Sequence, residues 1–200
     1  RYDDDRFIKE HDITIGVEFA AKMVTFPFSE PVKLQIWDTA GQESFRSISR
    51  SYIRGSKVVL LCYSVTNIAS FSNINGFMDD CRSLLEPDAS HVFALVALKS
   101  DAPPAARKIP TSAGEELAAT LGASFFEVSS KDDGRDRIEE VFEKTAADWL
   151  SSSGPTFKGR RVPGGVRLPS IPPAQLERRS LATLRSAENA STPRGSRGSS

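Results

Sequence analysis

Hydrophobic and polar positions along residues 1–150 follow two patterns, one typical of strands and one typical of helices. The runs VVLLCY and VFALVA are almost wholly apolar, as in strands buried on both faces of a parallel sheet. Such apolar or alternating runs predict strands at about 17–26, 32–37, 57–65, 91–97 and 124–128. The first two strands predict a hairpin across residues 27–31.

Helix-like patterns separate the later strands. One helix is predicted near 69–86, and the sequence TSAGEE at 111–116 predicts a second helix start, because a Ser or Thr followed three residues later by Glu can satisfy free amides reciprocally. A last helix is predicted over 135–150, with one buried stripe that contains Ile138, Val141, Phe142 and Leu150. This alternation predicts an α/β fold with a mostly parallel sheet and right-handed crossovers.

Composition divides the chain into a folded part and a tail. The 200 residues carry 26 basic and 26 acidic groups, but residues 1–150 hold 17 basic and 24 acidic groups, whereas 151–200 hold 9 and 2. The chain is long enough for one ordinary core, which excludes a disulfide-stapled miniprotein and a collagen-like chain. Because Ser, Gly and Pro supply 22 of the last 50 residues, we expect a domain at 1–150 and a disordered basic tail at 151–200.

The two cysteines, Cys62 and Cys81, lie in apolar or helical stretches and are predicted to be buried small hydrophobes. Their spacing fits neither a disulfide framework nor a metal site, which favours a reducing compartment. No apolar run approaches the ~20 residues that cross a bilayer. The sequence begins with neither Met nor a targeting segment, so we expect its beginning to be missing.

The segment KLQIWDTAGQE at 33–43 carries the strongest chemical signal. A strand that ends in Asp, followed by a Gly whose amide can be closely approached and then by Gln, suits a phosphate and metal site at the carboxyl edge of a parallel sheet. The alternative is an ordinary strand end with a Gly turn. A six-residue match to DTAGQE arises by chance only about once in 20⁶ positions, which favours the functional interpretation.

Residues 7–150 resemble the Rab branch of the Ras-like small GTPases. The matching segments are IGVEF at 15–19, KLQIW at 33–37, QESFRSI at 42–48 and YIRG at 52–55. HDIT at 11–14 together with QESFRS at 42–47 is most similar to the subgroup that acts between endoplasmic reticulum and Golgi. The resemblance implies a Ras-like P-loop GTPase fold, a mostly parallel six-stranded sheet with helices on both faces, whose first strand and P-loop are missing from this chain.

The resemblance also implies roles for residues near the phosphates. Thr14 matches the threonine that ligates Mg²⁺ and senses the γ-phosphate, and Asp38 matches the acid that holds a metal-bound water. The Gly41 amide would contact the γ-phosphate, and Gln42 would orient the attacking water in a reaction that takes GTP to GDP and phosphate. The implied cofactors are therefore GTP or GDP and Mg²⁺, with hydrolysis as the off signal of a switch.

Base recognition departs from the family, whose Asn-Lys-x-Asp pattern reads LKSD at 98–101 in this chain. Asp101 can still accept from guanine, but Leu98 cannot make the hydrogen bonds of Asn, a loss of about 1–3 kcal/mol, or roughly 5- to 150-fold in affinity. The resemblance implies that the following residues surround the base: Phe7, Lys99, Asp101, Ser129, Ser130 and Lys131. Loop polar residues and a core Phe remain the simpler alternatives for Phe7 and the serine–lysine loop.

Partners follow from the same resemblance. Phe19, Trp37 and Tyr52 match the aromatic triad by which Rab proteins engage effectors, so effectors, an exchange factor and a GTPase-activating protein are expected at the cytosolic face of endomembranes. No nucleic-acid partner is expected, because the body is acidic. The chain lacks the terminal cysteine that Rab proteins prenylate, and its basic tail predicts only weak attraction to membranes.

Two hypotheses for function remain. The first is an incomplete sequence of a Rab-type GTPase in vesicle traffic. The second is a degenerate, non-hydrolysing module that still binds effectors. The absence of a Gly-x-x-x-x-Gly-Lys-Ser/Thr motif from residues 1–200, together with Leu98, favours the second hypothesis, whereas intact Thr14, Gly41 and Gln42 favour the first.

Overall fold

The structure, a computed structural model, describes residues 2, 14, 17–26, 30–40, 52–86 and 90–153. Three of the predicted site residues, Phe7, Gly41 and Gln42, lie outside the described residues, as does the predicted tail beyond Ser153. Every other candidate residue can be placed.

The first two strands form the predicted hairpin. Strand β1 (Val17–Val24) pairs antiparallel with β2 (Val32–Thr39), and Phe19 lies opposite Trp37. Side chains alternate between two faces of this hairpin, as the period of a strand requires. One face carries Phe19 and Trp37, and the other faces the core.

Three further strands form a parallel sheet in the order β3-β4-β5, as the continuous apolar runs predict. They are β3 (Val58–Ser64), β4 (Val92–Leu98) and β5 (Ser124–Val128). The central strand β4 is buried along four successive residues, 94–97, because helices cover both faces of the sheet.

The described residues form four helices beside the sheet: α1 (Ile68–Ser72), α2 (Ile74–Leu84), α3 (Thr111–Leu121) and α4 (Arg135–Ser152). The single helix predicted near 69–86 is therefore two helices that meet at Asn73. The Ser70 hydroxyl makes hydrogen bonds with backbone groups that lie outside the helix. It donates to Asn67 O at 2.7 Å and accepts from Ser64 N at 3.0 Å. Such side chains compete with a continuous helix.

Helix α3 begins where predicted but not for the predicted reason. Its N-cap is Pro110, and no side chain caps the first turn. The Thr111 hydroxyl instead donates to the Glu127 carboxylate at 3.1 Å, beside a bidentate Arg107–Glu127 ion pair. The reciprocal cap predicted from the sequence is wrong: the residue followed three positions later by Glu is Ser112, which lies inside the first turn of α3 and not at its N-cap.

Two hydrophobic clusters cover the two faces of the parallel sheet. One includes Tyr63, Met78 and Leu95 and packs against α2 and α3. The other includes Val96, Val128, Ile138 and Val141, as expected for the inner stripe of α4. Burial of such side chains is the main stabilisation of the fold.

The five described strands form two sheets rather than one continuous sheet. None of the described residues supplies a strand between β2 and β3, so the six-stranded arrangement is not present among them. Side chains join the two sheets, because Leu34 and Ile36 of β2 pack on the second cluster and Lys22 of β1 forms an ion pair with Glu139 of α4.

The cysteines differ in exposure. Cys81 is buried, as predicted, but Cys62 is exposed, so that prediction is wrong. The reason is that β3 is the edge strand of the three-stranded sheet. None of the described helices combines the length and the apolar character needed to span a membrane.

Candidate functional site

Candidate residues gather where the parallel strands end. Lys99 to Asp101 follow β4, and Ser129 to Lys131 follow β5. The carboxyl ends of parallel strands meet at one edge of a sheet, which is where ligands bind in such folds. Because β4 and β5 are adjacent, the two loops lie side by side.

Asp101, Ser129 and Lys131 form one hydrogen-bonded cluster. The Ser129 hydroxyl donates to Asp101 Oδ1 at 2.7 Å, and Lys131 Nζ lies 3.5 Å from Asp101 Oδ2. Each carboxylate oxygen has two lone pairs, so both oxygens can still accept from a ligand. The structure thus brings together three residues that the resemblance assigned to the base.

Ser129 is the centre of this loop and is only 1% exposed. Its hydroxyl also accepts from the amides of Lys131 at 3.1 Å and Asp132 at 3.0 Å, and its own amide donates to Asp133 Oδ2 at 2.6 Å. These bonds hold the loop in one conformation before any ligand arrives. Preorganisation of this kind removes part of the entropic cost of binding.

Asp133 is a contributor that sequence reasoning missed. Its carboxylate accepts from the Ser129 amide, and its amide donates back to Ser129 O at 3.2 Å. A detectable signal was present, since an Asp in the turn just before a helix start commonly bonds nearby amides. Ser130, by contrast, is exposed, and its predicted contribution is through the backbone.

The electrostatics of the cluster keep Asp101 ionised. The hydrogen bond from Ser129 is the largest of the effects that lower the pKa of Asp101, and the charge of Lys131 adds to it. The pKa of Lys131 is raised, first by its hydrogen bond to Asp132 and then by charge, that of Asp101 included. An ionised carboxylate is an acceptor only, which suits recognition of two neighbouring N–H groups.

Lys99 has a strained backbone. Its φ of 65° places it in the left-handed region, which is uncommon for a residue with a Cβ. Bonds on either side hold the turn: Val65 N donates to Leu98 O at 3.0 Å, Ser100 N to Val128 O at 3.3 Å and Ala102 N to Lys99 O at 3.0 Å. Strain that is held by its surroundings tends to occur at ligand sites.

Leu98 occupies the position where the family pattern has Asn. Its side chain is half-buried and packs against the cluster that contains Val96 and Val128. It offers no donor or acceptor, so it can position neither a base nor a neighbouring loop by hydrogen bonding. In the folded protein, Leu98 therefore makes an apolar contact at the position where the family pattern has a hydrogen-bonding Asn.

Thr14 and Asp38 also lie together, as the resemblance implied. Desolvation by the surrounding protein raises the pKa of the Asp38 carboxyl above its ordinary value. A hydrogen bond with the Thr14 side chain lowers that pKa by a smaller amount. A carboxylate and a hydroxyl are the hard oxygen ligands that Mg²⁺ prefers, and a nearby cation would favour the ionised form of Asp38.

The donor set suits a metal that retains other ligands. Within the described ranges no group of three or more His, Cys, Asp or Glu side chains gathers in a way that could hold an ion. Mg²⁺ is typically bound by one or two protein oxygens together with waters and substrate phosphates. Thr14 and Asp38 fit this pattern.

The predicted aromatic triad is assembled on the hairpin. The Phe19 and Trp37 ring centroids are 4.5 Å apart, and those of Trp37 and Tyr52 are 4.6 Å apart. Phe19 is 50% exposed, which is unusual for a large apolar side chain. The three rings therefore present an apolar surface to solvent.

One comparison with known proteins bears on this arrangement. A family model described as the Ras family matches residues 1–151. The match includes all five described strands, the first three helices and all of α4 except its last residue.

Proposed function

Since the chain belongs to the Ras family of small GTPases, we propose that it is a Rab-type switch. It binds GTP, hydrolyses it to GDP and phosphate, and regulates vesicle traffic at the cytosolic face of endomembranes between endoplasmic reticulum and Golgi. The observation that carries the nucleotide-binding part of the proposal is the cluster of Asp101, Ser129 and Lys131, which presents an ionised and positioned carboxylate at the sheet edge. The Rab branch and its place in traffic rest on the sequence resemblance of residues 7–150.

Guanine selection follows from this carboxylate. Guanine offers two neighbouring N–H donors, whereas adenine does not, so a wrong base would not supply the two donors that the remaining acceptor positions of Asp101 would receive from guanine. The exposed Lys99 side chain can cover the base plane with its aliphatic stem. Leu98 contributes no hydrogen bond, so we expect guanine specificity to be kept and affinity to be reduced.

Hydrolysis depends on positioning rather than on covalent chemistry. Thr14 would hold Mg²⁺ directly and Asp38 through a water, and the bound metal would neutralise charge on the phosphates. Gln42 orients the attacking water. A lone Gln hydrolyses slowly, so an arginine from a GTPase-activating partner is expected to accelerate the reaction.

A second candidate function is a module that binds effectors without hydrolysis. Leu98 favours it, because the base site has lost one hydrogen-bonding partner. The exposed Phe19 ring and its neighbours would persist as a partner surface in either case. The two functions differ in turnover and not in the surface.

The test compares the full-length protein with its Gln42→Leu variant. We expect the wild type to bind GTP in preference to ATP and to hydrolyse it slowly, and the variant to bind GTP equally well but to hydrolyse it at least 10-fold more slowly. Single-turnover release of phosphate measures the rate, and equilibrium titration with a fluorescent nucleotide measures binding.

Three outcomes separate the proposals. Gln42-dependent hydrolysis supports the switch. Binding without hydrolysis, with partner binding that a Trp37→Ala change abolishes, supports the effector module. Equal affinity for GTP and ATP, or no guanine nucleotide binding by the full-length protein, contradicts the assignment of the base site.

For the Rab branch itself, we expect the Gln42→Leu protein to accumulate on one endomembrane compartment in cells, and an even cytosolic distribution would contradict it.

A further inference from the structure

Strand β1 is an edge strand with unusual side chains. It pairs with β2 on one side, and no other described strand pairs with it. It has eight residues, VEFAAKMV, without Pro or Gly to interrupt it. Of the three exposed large hydrophobic residues among the described ones, two lie on this strand: Phe19 at 50% and Met23 at 60%. Long exposed edges of this kind are templates for pairing with another strand.

We propose that β1 pairs antiparallel with β1 of a second copy of the chain, around a two-fold axis at Ala20. With a two-fold axis perpendicular to the sheet, residues that face each other across the two strands point to the same side of the sheet. An even-numbered residue of one copy therefore faces an even-numbered residue of the other, and an odd-numbered residue faces an odd-numbered one. With the axis at Ala20, Glu18 faces Lys22 of the second copy, and Lys22 faces Glu18. The strand is therefore complementary in charge to itself.

The charge pairing would give Glu18 an oppositely charged neighbour that it lacks among the described residues. Within its own hairpin Glu18 lies opposite Asp38, a like-charged neighbour, and it forms no ion pair among the described residues. Like charges directly opposite each other destabilise a sheet. A Lys22 from the second copy would place a cation on the free side of Glu18.

Lys22 can serve this second carboxylate. It already forms an ion pair with Glu139 and lies 4.2 Å from the Tyr2 ring centroid. Its side chain is only 21% exposed, so it is held near the core-facing side of β1. An ammonium has three donors, so contact with Glu139 leaves donors for Glu18 of the second copy.

The opposite face of the strand supplies apolar contact. In this register Val17 faces Met23, and Phe19 faces Ala21. The two Phe19 rings become diagonal neighbours, a position within reach of aromatic side chains. An axis at Ala21 would instead place Glu18 opposite Val24 and Lys22 opposite Ala20, which loses both facing charge pairs. The register at Ala20 is therefore favoured over its neighbour.

The interface is small, because it consists of one strand from each copy. Interfaces of this size are weak and transient. The self-paired form uses Phe19, so it would compete with any partner that binds the aromatic surface. The test of the pairing itself requires neither nucleotide nor effector, and its failure would leave the proposed GTPase activity untouched.

Disulfide trapping of the full chain tests the register. In a Cys62→Ser background, which removes the exposed native thiol, Ala20→Cys is compared with the matched variant Ala21→Cys. Facing Cα atoms in an antiparallel pair lie about 4.5–5.5 Å apart, within the range that a disulfide spans. We expect the Ala20→Cys protein to form several-fold more covalent dimer under mild oxidation. Equal or greater dimer from Ala21→Cys overturns the register.

Charge exchange tests the pairing by a second route. The Glu18→Lys protein and the Lys22→Glu protein should each be monomeric, because like charges then face each other. Their mixture should form heterodimers, because every facing pair is then complementary. Sedimentation velocity at high protein concentration measures the association, and circular dichroism checks the folding of each variant. A monomeric wild type, or a mixture that stays monomeric while both variants are folded, overturns the proposal.

Discussion

The Ser129 hydroxyl is the point at which the loop proposed to hold the base can be tested most sharply. A Ser129→Ala change removes one oxygen from a residue that is 1% exposed. Three hydrogen bonds disappear: one to the Asp101 carboxylate and two from the amides of Lys131 and Asp132. Nothing else in the loop is altered by the substitution.

The expected cost follows from the kind of bond that is lost. A hydrogen bond to a charged group contributes about 1.5–3 kcal/mol, and an ordinary one about 0.5–1.5 kcal/mol. The two bonds from the amides of Lys131 and Asp132 are ordinary ones donated by residues at the surface, so we count each at the lower end of that range. We therefore expect a loss of about 2–4 kcal/mol in the free energy of unfolding at pH 7, most of it from the bond to Asp101.

The loss depends on pH in a defined direction. The pKa of Asp101 is lowered in the folded protein, and the hydrogen bond from Ser129 is the first cause. The stabilisation that this bond gives to the ionised carboxylate is therefore present above the unfolded pKa of about 3.9, and it is lost as pH falls through the folded pKa. The difference between wild type and Ser129→Ala should thus be full at pH 6–7 and shrink below about pH 4.

Urea unfolding of three proteins at several pH values provides the assay. The matched control is Ser130→Ala, which removes an exposed hydroxyl from the same loop and should change stability by less than about 0.5 kcal/mol. A double-mutant cycle with Asp101→Asn should give a coupling energy of about 1–3 kcal/mol. A Ser129→Ala protein as stable as the control, or a penalty unchanged at acid pH, would refute the reasoning.

Two further predictions concern packing and affinity. A Cβ on Gly114 of α3 would lie 2.6 Å from Phe125 Cε2 and closer still to the Tyr63 hydroxyl, so Gly114→Ala should destabilise by about 1–3 kcal/mol. Gly76→Ala on α2 meets no atom within 4 Å and should stabilise by about 0.5–1 kcal/mol, and thermal melting that ranked the two the other way would contradict the packing argument. Leu98→Asn should tighten guanine nucleotide binding roughly 5- to 150-fold while it lowers the stability of the ligand-free protein, because it places an amide in an apolar cluster. Unchanged affinity in a nucleotide titration would mean that the base is held differently.

The parallel strands were predictable because burial on both faces leaves a continuous apolar run. Strands β3 and β4 begin and end within one residue of the predicted bounds. The hydrogen bond from the Thr111 hydroxyl was not predictable, because its partner Glu127 lies 16 residues away in sequence and becomes a neighbour only in the folded protein. The exposure of Cys62 likewise depends on the place of β3 in its sheet, which its own residues do not encode.

The residues proposed to hold the base came from a resemblance, and the structure adds how two of them come into contact. Asp101 and Ser129 lie 28 residues apart, and neighbouring strands bring them into contact. Asp133 was missed because its role is to hold the Ser129 amide and not to contact a ligand. Motif matching finds the groups that face a ligand more readily than those that hold them in place.

The candidate residues at the two ends of the proposed site lie on elements that are connected differently among the described residues. Among the described residues no backbone hydrogen bond crosses from the hairpin to the parallel sheet, and the connection consists of side chains such as Leu34, Ile36 and the Lys22–Glu139 pair. Asp38, the residue proposed to act near the phosphates, thus lies on an element that side chains hold in place, whereas Asp101, proposed to read the base, follows a strand that has a hydrogen-bonded neighbour on each side.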